Sequence, residues 1–169
     1  MQSADAATFD EAYYARYYFD KKTKVADPRH VERLGAFVAS YLKYLRVPVH
    51  RVLDVGCGIG LWRDIVARHF PQASYQGVEV SEYLCERYGW ERGSVVDYRA
   101  QEPFDFVICQ GVLAYLSPGD LKPALRNRPQ YPRMLMHPGL DSLISFDRTG
   151  KPHEFAHGNL LSLSTAVCI

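Results

Sequence analysis

The stretch RVLDVGCGIG, Arg51 to Gly60, constrains this chain more than any other. Val52, Leu53 and Val55 supply the apolar run of a short buried strand, and Asp54 lies at its carboxyl end. Gly56, Gly58 and Gly60 follow at alternate positions. Glycine lets the backbone take positive φ angles and approach a ligand with no Cβ in the way. A strand that runs into a glycine turn and then a helix is how an open α/β sheet builds a nucleotide site. The spacing also discriminates. Leu61 stands where the third glycine of a dinucleotide fingerprint would fall, and Gly60 comes one position early, which disfavours NAD.

Downstream, SYQGVEV (Ser74 to Val80) predicts a second strand with Glu79 near its end. A carboxylate there can accept hydrogen bonds from both hydroxyls of a ribose. GSVVD (Gly93 to Asp97) predicts a third, short strand closed by an acid. FDFVICQ (Phe104 to Gln110) is apolar enough for a central strand of a parallel sheet.

An acid, one residue and then GxGxG, with an acid after the second strand, resembles class I S-adenosylmethionine (SAM)-dependent methyltransferases. The resemblance covers roughly Phe9 to Leu125. It implies a Rossmann-like, doubly wound α/β sheet with the first strand at its centre, and SAM as cofactor. It places Asp54, Gly56, Gly58 and Gly60 at the methionine end of SAM, with Cys57 as a small side chain beside it. It gives Glu79 to the ribose, Val96 and Asp97 to the adenine, and Gln110 to the cleft. The family follows its fourth strand with a polar residue and VLEHL. QGVLAYL here has Ala114 and Tyr115 in place of Glu and His. No catalytic base is assigned, and Tyr115 either borders the substrate or packs under the next helix.

The flanking segments follow helical rules. Tyr13, Tyr14, Tyr17 and Tyr18 recur at spacings of three and four within FDEAYYARYYF, predicting an aromatic-faced helix over Phe9 to Phe19. It is either a packed face or a lid over cofactor and substrate, joined to the core by the polar connector Lys21 to Asp27. Asp27 and Pro28 open a helix whose face is Val31, Leu34, Val38, Tyr41, Leu42 and Leu45. Leu61, Ile65, Val66 and Phe70 form the stripe of the helix after the glycine turn, stopped by Pro71. Ser81 caps a helix running to Tyr88 and ended by Gly89, and Ser117, Pro118 and Asp120 start another.

With 169 residues the chain suits a single domain, divided into an aromatic lid segment (1–27), a cofactor-binding core (28–126) and an atypical tail (127–169). Twenty basic against 19 acidic residues give no signal for nucleic acid or an anionic membrane. No run suits a membrane span or a signal peptide. Cys57, Cys85, Cys109 and Cys168 form no CxxC pair and read as reduced thiols of a cytoplasmic protein. From about Asn127 the chain turns proline-rich, and only Met134 to Met136, Leu143 to Phe146 and Leu160 to Ile169 suit strands. His153 and His157 have metal-ligand spacing but no helical pattern and no third ligand, so no metal is assigned. The reading is SAM-dependent methyl transfer to a small molecule or another acceptor. The alternatives are a weak or inactive SAM-binding domain with an altered tail, and an NAD-binding oxidoreductase.

Overall fold

The computed structural model describes residues 8–126 and three short strands beyond them, Ser145–Phe146, Pro152–His153 and Thr165–Cys168. Helix α1 (Glu11–Tyr14) runs into a π-helical turn (Ala15–Phe19). Then follow α2 (Pro28–Tyr44), β1 (Arg51–Val55), α3 (Leu61–His69), β2 (Ser74–Glu79), α4 (Glu82–Tyr88) and β3 (Glu91–Arg92). β4 (Phe106–Gln110) leads through a tight helical turn, Leu113–Tyr115, to α5 (Pro118–Arg126). The three late strands are β5, β6 and β7 in order.

The sheet runs β3-β2-β1-β4-β7. β1 lies parallel between β2 and β4, with Asp54 opposite Gly77 on one side and Ile108 on the other. β7 adds antiparallel to β4, Gln110 opposite Thr165, within the stretch expected to give a late strand. β5 and β6 pair only with each other. The other tail expectations, Met134 to Met136 and His157 among them, lie outside the described residues.

The two-residue period of the strands sorts their side chains into two cores. Val52, Phe106 and Ile108 face Val38 and Leu42 of α2 and Ile65 and Val66 of α3. Leu53, Val55, Val107 and Cys109 face the opposite side, with Val95, Tyr98 and Ala124. Covering both faces explains why β1 and β4 read as near-continuous apolar runs. Each fully buried Val, Leu or Phe stabilises the fold by about 1.5–3 kcal/mol relative to exposure.

Several expected boundaries move. The third strand is not Gly93–Asp97 but Glu91–Arg92, which pairs with Val78 and Glu79. Ser94 overrides the β-branched pair after it. Its carbonyl accepts from the N–H groups of Asp97 and Tyr98, and its hydroxyl accepts from Val96 N–H, which bends the segment into a turn. On α2, Gly35 and Ala39 are buried, whereas Tyr41 and Leu45 are 37% and 47% exposed, so the buried face is narrower than the apolar pattern. The aromatic segment is helical but widens into the π turn after Tyr14. The caps follow the sequence: Asp27 accepts from Arg29 N–H at 3.0 Å, Ser81 from Leu84 N–H at 3.3 Å, and Gly89 ends α4 at φ 72°.

Candidate active site

The site is built where β1 and β4 end and the chain turns over the sheet. Gly56 takes φ 72° and accepts no side chain, since a Cβ there would meet Val112 Cγ2 at 2.2 Å. Its N–H donates to Val78 O at 2.7 Å, which folds the loop back over the end of β2. Gly60 starts α3 at φ 79°, with Trp90 so close that a Cβ would lie 2.7 Å from its ring. At Gly58 the loop opens outward, and nothing lies within 4 Å of where a Cβ would point.

Glu79 is 4% exposed and ties the loop to β2. Its Oε2 accepts from Gly58 N–H at 2.8 Å, and its Oε1 accepts from Val80 and Ser81 N–H at 2.9 and 3.1 Å. Both oxygens are therefore anchored, with lone-pair capacity left for a ligand hydroxyl.

Asp54 is 2% exposed at the end of β1. The Tyr75 hydroxyl donates to its Oδ2 at 2.6 Å. Burial pushes the Asp54 carboxyl up to about 7, and the Tyr75 bond offsets part of that shift.

Two cavities meet here. The first, about 390 Å³, is lined by Gly58, Glu79, Val80 and the turn Gly93 to Val96, and closed by Phe9, Tyr13, Tyr14 and Tyr18. The second lies across the glycine loop, lined by Asp54, Cys57, Trp62, Asp27, His30 and Arg33. Tyr18, Gly56, Gly58, Gln110, Gly111 and Tyr115 border both. Gln110 is held there by the Trp62 indole, which donates to its Oε1 at 2.5 Å.

The aromatic segment covers the first cavity. The hydroxyls of Tyr13 and Tyr115 lie 3.0 Å apart, and Phe9 sets its ring edge-on to both, at 5.1 and 5.4 Å. The Ser81 hydroxyl donates to Phe9 O at 2.5 Å, and Tyr14, 3% exposed, stacks on Tyr83. The segment is both packed and positioned over the cavity. Tyr115 borders the cleft, 39% exposed. Burial pushes the Tyr18 phenol up to about 12, and it raises those of Tyr13 and Tyr14 and the Cys57 thiol as well. These groups stay protonated near neutrality and serve as donors or packing rather than as bases.

Of the residues picked out by motif, Asp54, Gly56, Cys57, Gly58, Glu79, Val96 and Gln110 line one cavity or both. Gly60 lies behind the loop against Trp90, and Asp97 is exposed, outside the lining of either cavity. Motif reading passed over Tyr75, Trp62 and Trp90. Trp90 donates from Nε1 to Gly58 O at 3.0 Å, packs on Gly60 and Gly77, and stacks on Tyr88. Its only sequence signal is an indole just after a helix-ending glycine. Among the described residues no cluster of three or more His, Cys, Asp or Glu is placed to hold a metal.

Comparison with known proteins gives the same fold. Residues 53–130 match a family described as a methyltransferase domain. A trans-aconitate 2-methyltransferase of Pseudomonas paraeruginosa is 32% identical over 73 residues, 39% of this chain and 26% of that protein. The SAM-bound amino pentose methyltransferase CalS10 of Micromonospora echinaspora superposes with a TM-score of 0.55 at 20% identity, over 75% of this chain and 54% of that one. The plantazolicin methyltransferase BpumL, solved with SAH, gives 0.57 at 12% identity, over 76% and 52%. The chain thus spans about a quarter of that relative and about half of each solved structure. With β1 central, the glycine loop at its end and the family match running from Leu53, the chain has the class I, Rossmann-like methyltransferase fold, and its residues 53–130 are similar to the methyltransferase domain family.

Proposed function

We propose that the protein is a SAM-dependent methyltransferase acting on a small molecule, in the cytoplasm. The observation that carries this is the bond from Gly58 N–H to Glu79, which brings the glycine loop and the β2 carboxylate together at the floor of one cavity. The residues fit the cofactor. Val80, Val95 and Val96 offer apolar contact to a purine, and Glu79 offers a carboxylate to a ribose. Gly58 and Asp54 both line the second cavity, where the negative form of Asp54 would pair with the amino group of the methionine end. When bound, SAM supplies a methyl group already activated as a sulfonium.

The chain's own work is then orientation and exclusion of water. The tyrosines of the lid close the adenosine side, while Gln110 and Tyr115 border the passage between the cavities. Trp62 fixes Gln110, Trp90 fixes Gly58, and Tyr75 fixes Asp54. The trans-aconitate enzyme, named for a small acid, supports a small-molecule acceptor. The free thiols of Cys57, Cys85 and Cys109 support a reducing compartment. The test is transfer of labelled methyl from SAM to a panel of small acids, amines and sugars. Label in a product defines the acceptor, and binding of SAM without transfer to any acceptor would reduce the protein to a cofactor-binding domain.

A further inference from the structure

We propose that His30 and Arg33 form a carboxylate-holding pair on the second cavity. The proposal rests on the methyltransferase reading and names part of that site's specificity. His30 and Arg33 lie three residues apart on α2, so they share a face, and both line the cavity.

Their placement runs against what helix stability favours. The positive end of a helix dipole prefers acids. The first turn of α2 holds none, yet Arg29 and His30 stand in it and Arg33 follows in the second turn. Asp27 answers only in part, since its Oδ1 accepts from Arg29 N–H. Glu32, the nearby acid, is paired with Arg68 on α3. Among the described residues no carboxylate forms an ion pair with Arg33.

The chain therefore keeps a guanidinium and an imidazole side by side near this end of α2, on a cavity that also holds Asp54. An acid, a guanidinium and an imidazole lining one cavity complement a zwitterion or an acid that carries a second polar group. Two ligands offer that carboxylate: the amino-acid end of the cofactor and an acidic acceptor. Arginine suits either, because its guanidinium pairs with both oxygens at once.

Calorimetry on the full chain separates the sources. The parent, Arg33→Gln, Arg33→Lys and His30→Gln are titrated with S-adenosylhomocysteine and with methylthioadenosine, which lacks the amino-acid end. Trans-aconitate is then titrated as a probe acid, with and without saturating nucleoside. All three variants change exposed positions, so folding is preserved. If the pair holds the cofactor, Arg33→Gln loses about tenfold or more for S-adenosylhomocysteine and nothing for methylthioadenosine, with Arg33→Lys between. If it holds the acceptor, the loss appears with trans-aconitate alone. Unchanged affinities for both carboxylate ligands overturn the proposal. Methylthioadenosine with the parent tests the cofactor reading separately; if that fails, the trans-aconitate arm without nucleoside still decides the pair.

Discussion

At the scale of single residues, the two buried acids of the site act on stability in opposite senses. Asp54 carries the clearest prediction. Its folded pKa of about 7 stands above the ordinary aspartate value of 3.8, so the folded state keeps a proton that the unfolded chain releases. Stability from this group is fully present below about pH 4 and is lost as pH rises toward 7. Asp54→Asn keeps an acceptor for Tyr75 and removes the buried charge. It should be more stable than the parent at pH 8 by about 2–4 kcal/mol, with the two converging below pH 4. Denaturant unfolding across pH reads this, and a variant no more stable at pH 8 would show that Asp54 ionises without penalty. The same variant should bind S-adenosylhomocysteine more weakly, because an amide offers the amino group no charge.

Glu79 behaves differently. From sequence alone Glu79→Gln looks milder than Glu79→Ala, since one oxygen remains. The geometry removes the reason for that difference. Both oxygens accept backbone N–H groups, so either orientation of a Gln amide sets a donor against a donor. Both variants should lose about 1–3 kcal/mol of stability and weaken nucleoside binding alike. Thermal unfolding with and without S-adenosylhomocysteine checks this; a near-native Gln variant contradicts it.

At the scale of elements, the glycine loop depends on a residue distant in sequence. Trp90→Phe keeps an aromatic ring near Gly77 but removes the bond to Gly58 O and the outer indole ring whose Cζ2 and Cη2 face Gly60. Loss of one hydrogen bond, about 0.5–1.5 kcal/mol, should raise hydrogen exchange at 56–60 and weaken S-adenosylhomocysteine up to about tenfold. Parent-like exchange and affinity would leave Trp90 a packing residue only. The aromatic segment is the second such element. If it closes over ligand, exchange at Tyr13 to Phe19 falls when S-adenosylhomocysteine binds, and Tyr115→Phe reduces that protection. Equal protection in both states leaves only packing.

These elements also show what a sequence discloses. The strand at Val52 to Val55, the caps at Asp27 and Ser81 and the stop at Gly89 were legible, because each is decided by neighbours within a few residues. The third strand was not, because Val95 and Val96 favour a strand while the hydrogen bonds of Ser94 favour a turn. Trp62, Tyr75 and Trp90 stayed hidden because their partners lie 21 to 48 residues away. His30 and Arg33 look like any solvated helix charges until the fold sets them on a cavity.

At the scale of the whole molecule, a parallel sheet covered on both faces presents its ligand side where β1 and β4 end, and the two cavities lie there. On the proposed function these cavities together hold one SAM molecule, its adenosine against Glu79 and its amino-acid end toward Asp54. Isothermal titration of the full chain with S-adenosylhomocysteine, and in parallel with NAD, tests it most directly. Saturable heat at one equivalent of S-adenosylhomocysteine, a matching rise in melting temperature and no response to NAD are expected. A folded protein that gives neither heat nor thermal shift with S-adenosylhomocysteine, or that binds NAD instead, would contradict it.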